Sequence, residues 1–174
     1  MASYYYLVAS LPELRSDGEP PISYEEFLDL CQGAVSESVY RKLSELTLDS
    51  SDMPLLKKWQ ESYGRIMEEL NYQRAVNLGQ TVQAPAARDA GIVSFVGTLM
   101  HAKNPLEAEK EMLDYEFRTL DELVGLHMFD DYVLFGYAIK LKLLMRQQCF
   151  VHDKGEAEFR RLMEVVRKRV YGIA

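Results

Sequence analysis

The chain has 174 residues, 48% of them hydrophobic, with a formal net charge of −7. That is enough to bury a core without staples, and the acidic balance argues against a general nucleic-acid binder. Its two cysteines, Cys31 and Cys149, lie far apart inside apolar segments, which is neither a disulfide framework nor a metal-binding spacing. Tyr4 to Leu11 is rich in aromatics and Val, so its local propensity is for a strand, and no second strand is evident to pair with it. Ser16-Asp17-Gly18-Glu19-Pro20-Pro21 reads as a loop. Ser23 and Glu26 form a capping box opening a helix with Phe27, Leu28 and Cys31, ended near Gly33. A short helix over Glu37 to Leu46 follows, with Val39, Leu43 and Leu46 on one side.

Asp52 reads as the next N-cap, with Pro54 in the first turn. Leu55, Leu56, Trp59, Tyr63, Ile66, Met67 and Leu70 recur at spacings of three and four, predicting a long helix over 53–78. At 1.5 Å per residue its length is roughly 39 Å, which suits a bundle. The uncharged stretch Gly79 to Pro85 is a break. Ala86 to Ala102 reads as a helix of small residues, where Gly91 and Gly97 suggest close helix packing. Asn104-Pro105-Leu106-Glu107 is the strongest helix start in the chain, and Leu106, Leu113, Phe117, Leu120 and Val124 hold one face behind it. Asp130 or Asp131 caps the next helix, which is apolar nearly all round from Tyr132 to Met145 and belongs at the centre of the bundle. Asp153 and Glu156 suggest a last capping box. The helix after it has Phe159, Leu162, Met163, Val166 and Val170 as its inner side, with Arg160, Arg161, Arg167, Lys168 and Arg169 outside.

The fold class read from this pattern is all-α: an antiparallel bundle of about seven helices, with a short extended N-terminal segment left open. Residues 1–174 form one helical domain, and 1–50 can be a smaller subdomain before the long helix. The start lacks the basic and apolar regions of a signal peptide, and the longest apolar run, Tyr132 to Ile139, is less than half of the roughly 20 residues that span a bilayer. A cytoplasmic location is expected.

No constellation for chemistry stands out. The residues three before His101, His127 and His152 are Thr98, Val124 and Cys149, so the Glu-x-x-His of a dinuclear bundle site is missing. There is no phosphate-binding glycine loop and no nucleophile elbow. Cys149 and His152 stand at i, i+3, which reads as a helix end and the turn after it. Glu107, Glu109, Glu111, Asp114 and Glu116 crowd one helix and read as a solvated face. The expectation is no catalytic, metal or cofactor site. Partner-binding candidates are Tyr4 and Tyr5, since three successive tyrosines cannot all be buried in one layer, and Arg160, Arg161 and Arg167 on the last helix.

Ser3-Tyr4-Tyr5-Tyr6-Leu7-Val8-Ala9-Ser10-Leu11-Pro12, followed by Pro20-Pro21-Ile22-Ser23 and Glu26-Phe27-Leu28, resembles a bacterial family encoded within operons for V-type ATPases. There it takes the position otherwise held by the C-type subunit, which is the d-type subunit of eukaryotic pumps. Asn104-Pro105-Leu106-Glu107-Ala108-Glu109 with Leu113-Asp114-Tyr115, and the Asp131 to Arg146 helix, are similar to the C/d-type subunit itself. The resemblance implies an all-helical, non-catalytic coupling subunit that seats the central stalk on the membrane ring. Its partners would be stalk and ring subunits, with no nucleic acid, and it would lie peripheral to the inner membrane only through those partners. The chain is much shorter than the C/d-type subunit. The alternative is a free-standing helical adaptor or regulator. A third reading, a helical enzyme, requires a deep cavity lined by Glu109, Glu116 or Asp114.

Overall fold

The computed structural model describes residues 4–148 and 152–171. Among them are eight helices and no strand: α1 (Tyr5–Ser10), α2 (Tyr24–Cys31), α3 (Glu37–Glu45), α4 (Pro54–Asn77), α5 (Ala90–Met100), α6 (Pro105–Val124), α7 (Asp131–Gln147) and α8 (His152–Tyr171). The all-α class therefore stands.

The extra helix is α1, where local propensity favours an extended segment. Tertiary contacts override that preference. The Tyr4 N–H donates to the Phe129 carbonyl at 2.8 Å, and Leu7 drops into the core. Strand-like side chains are held in a helical turn by what they pack against.

The helix starts show the local chemistry at work. Ser23 accepts from the Glu26 N–H while the Glu26 carboxylate accepts from the Ser23 N–H at 2.7 Å, so the expected box is complete. Asn104 accepts from the Glu107 N–H at 2.9 Å, but the Glu107 carboxylate reaches one residue further back, to the Lys103 N–H. Asp52 does not cap α4. Met53 holds the N-cap position without a side-chain bond, and Asp52 lies 3.6 Å from Lys42 instead. Pro54 removes one of the N–H groups that a cap would have to satisfy. α5 begins at Ala90, four residues later than its run of small residues suggests, because the Asp89 carboxylate accepts from the Gly91 and Ile92 N–H groups.

α4 is long enough to serve two cores. Its first half gives Leu55, Leu56 and Trp59 to a large cluster with Phe27, Leu43, Phe117, Leu120, Leu134, Phe135 and Ile139. Its second half gives Ile66 and Leu70 to a smaller cluster with Val96 and Leu99 of α5 and Met112 of α6. The large cluster joins residues of the first fifty, including Tyr24, Cys31 and Val39, to α6 and α7. α7 is the central helix that its composition predicts: Leu134, Phe135, Ala138, Ile139, Leu141, Leu143 and Leu144 are all buried.

Close approach between helices occurs at Gly136, not at the glycines of α5. A Cβ at Gly136 would stand 2.6 Å from Val124 Cγ2 of α6, whereas one at Gly97 would meet nothing within 4 Å. The residues expected on the inner side of α8 do not face a core. Phe159, Leu162, Met163 and Val166 are roughly half exposed or more. Asp153 lies within α8 and does not precede it. Cys149 and the side chains of His152 and Val170 fall outside what the structure describes.

Candidate protein-interaction surface

The turn between α6 and α7 is built to project. Gly125 ends α6 with φ of 56°, a conformation that suits glycine, and its N–H donates to the Asp121 carbonyl at 2.8 Å. The next residue, Leu126, is 99% exposed, and Met128 is 66% exposed. Two such side chains in a tight turn have no role in this fold's core.

The turn is braced on three sides. The His127 imidazole bonds the Asp130 carboxylate through Nδ1 and stacks flat on Tyr132, with centroids 4.1 Å apart. Asp130 also accepts from the Tyr132 N–H at 3.1 Å as the cap of α7. The Phe129 carbonyl takes the Tyr4 N–H, and the Phe129 ring meets Tyr5 at 4.8 Å. Asp130 thus fixes both His127 and the start of α7, and α1 buttresses the turn from the side.

The three tyrosines divide between these tasks. Tyr4 is buried, and burial together with a hydrogen bond to Asp131 pushes its hydroxyl up to about 12. It is an anchor and offers no contact surface. Tyr5 is 54% exposed and Tyr6 88%, packed edge to face. With Leu126, Met128 and Phe129 they form an aromatic and aliphatic tip. Beside it lies an open hollow of about 310 Å³, lined among others by Lys42, Met53, His127, Asp131, Tyr132 and Phe135.

The cationic candidates sit elsewhere, on α8. Arg160 pairs with Glu156, and Arg161 pairs with Glu158 at 2.9 Å through Nε. Arg167 is exposed. The structure does not join these residues to Tyr4 or Tyr5 in one site.

The acidic face of α6 is not uniformly solvated. Glu116 is fully buried, with both carboxylate oxygens on Arg146 Nη2 at 3.3 and 3.0 Å, and Glu109 stands 3.8 Å from the same guanidinium. Burial pushes the Glu116 carboxyl up to about 7, against the opposing pull of Arg146. Asp114 faces outward, pairing with Arg118 and accepting from the Ser16 hydroxyl. A second buried carboxylate, Glu69 on α4, takes both Nε and Nη2 of Arg88 at 2.9 and 2.6 Å and also bonds Gln73. Arg88 holds its carboxyl below the usual range. These two pairs fasten helices and a connection together.

Among the described residues no group of three or more His, Cys, Asp and Glu side chains is arranged to hold a metal ion. No helix of the described residues is long and apolar enough to cross a membrane. The Cys31 thiol is buried and pushed up to about 11 by that burial. No family model, no curated protein and no solved structure matches the chain.

Proposed function

We propose that the chain is a non-catalytic accessory or coupling subunit of a rotary V-type ATPase, a counterpart of the C/d-type subunit between central stalk and membrane ring. The observation that carries the protein-binding part of this reading is the tip: Leu126, almost wholly exposed, and Met128, about two-thirds exposed, on a turn fixed by Gly125, the His127–Asp130 pair and α1. A turn whose backbone is fixed before binding loses little backbone entropy on docking, which favours the exposed side chains it carries as an affinity hot spot. The assembly is named from the resemblance of the N-terminal Ser3 to Pro12 block and the residues after it. That block includes α1, the element that buttresses the tip.

A helical body whose long α4 ties two cores together suits a mechanical role, because a connector that yields stores torque as strain. The 310 Å³ hollow beside the tip favours a second reading, a free-standing adaptor that receives a partner side chain there. Affinity purification of the tagged chain from native membranes separates the two. Recovery of stalk or ring subunits supports the coupling role. Recovery of other partners in their absence contradicts it and leaves the adaptor.

A further inference from the structure

We infer that α8 is a docking helix for an anionic lipid surface. All its described side chains are exposed. At 100° per residue, Phe159, Leu162, Met163, Val165 and Val166 fall within an arc of roughly 160°, broader than the narrow a/d seam of a two-helix coiled coil, and Glu158 and Arg169 enter it between Val165 and Leu162. Arg167 borders one edge of the arc and Arg161 the other, where their long stems can lie along apolar surface and their heads reach outward.

The charges on α8 are sorted along its length. Glu156 and Glu158 are engaged by Arg160 and Arg161. Arg167, Lys168 and Arg169 have no carboxylate partner among the described residues. By sequence α8 holds six Lys and Arg against four Asp and Glu, so +2, while the rest of the chain holds 14 against 23, so −9. The chain therefore places these cations on the helix that carries an exposed apolar face and keeps the excess acid elsewhere. An amphipathic helix of this kind, too polar to span, lies in the headgroup plane.

The acidic body of a second copy is the competing occupant. Several of its surface carboxylates are already paired: Asp17 with Arg15, Asp52 with Lys42, Asp114 with Arg118, Asp121 with Lys140. A phospholipid surface offers phosphates at continuous density, with apolar depth directly beneath them. Each Lys or Arg near such a surface adds to the attraction.

The test is co-sedimentation of the full chain with vesicles of phosphatidylcholine alone, or of equal parts phosphatidylcholine and phosphatidylglycerol. The expected result is binding to the anionic vesicles only, lost toward about 1 M salt, where the Debye length is about 3 Å. Arg167→Glu with Lys168→Glu lowers binding on the order of tenfold or more, and Phe159→Asp with Val166→Asp abolishes it. All four positions are exposed, so circular dichroism of the variants stays unchanged. No binding, or equal binding to both vesicle types, overturns the inference. So does a dimer in light scattering that Phe159→Asp dissolves while vesicle binding is absent. The vesicles contain no ATPase component, so this result is independent of the coupling reading.

Discussion

Glu116 is the residue whose chemistry departs furthest from its surroundings. It sits at full burial between Leu113 and Leu120 on α6, with Arg146 of α7 its charged partner. The carboxyl is raised from an ordinary 4.5 to about 7, so the folded chain holds a proton that the unfolded chain releases. The stability this contributes is therefore full below about pH 4.5 and is lost as pH rises through about 7. On the order of 3–4 kcal/mol is involved. Chemical denaturation from pH 5 to pH 8 should show wild type losing stability relative to Glu116→Gln, with the difference between the two curves rising through pH 7. Parallel curves would place the titration elsewhere. Gly136 is the second sensitive residue. Alanine there drives a methyl into Val124, whose branched side chain has little freedom to turn away, and should cost about 1–3 kcal/mol of unfolding free energy, measured by denaturant titration.

At the scale of elements, the sequence makes the helices legible and their interruptions less so. Stripes at spacings of three and four locate α4, α6 and α7, and the Ser23, Asn104 and Asp130 caps mark starts that the structure keeps. α1 looks like a strand in sequence because six residues carry too little periodicity to outweigh their β propensity. α8 looks like a core helix because an apolar stripe states that something covers it, without stating that the bundle does. Glu69 and Glu116 are legible in principle. Each stands three residues after an apolar stripe position, Ile66 and Leu113, and so on the buried face, with Arg88 and Arg146 as partners that only the fold brings near. The Glu69–Arg88 pair fixes the connection between α4 and α5 onto α4. Arg88→Ala leaves the buried Glu69 carboxylate without its cationic partner and should lower the denaturant midpoint. Hydrogen exchange should speed up over residues 80–92 before it does over α4. Unchanged protection there would mean that the pair fastens nothing.

For the whole molecule, the projecting turn is invisible to pattern reading. Leu126-His127-Met128-Phe129 looks like a short linker of mixed polarity, and its significance lies in Gly125 and Asp130, which flank it, together with α1, which reaches it only in three dimensions. Of Tyr4 and Tyr5, both singled out from sequence, the structure makes a buried anchor and a half-exposed neighbour. The proposed coupling role asks the body to be stiff and the tip to be the contact. The most direct measurement compares wild type with the Leu126→Asp, Met128→Asp double variant as bait in native membranes, quantifying the stalk and ring subunits recovered with each. Both side chains are exposed, so the variant should melt with the wild type while its recovery of those subunits falls by on the order of tenfold or more. Undiminished recovery by a folded double variant would contradict the claim that this tip is where the protein docks.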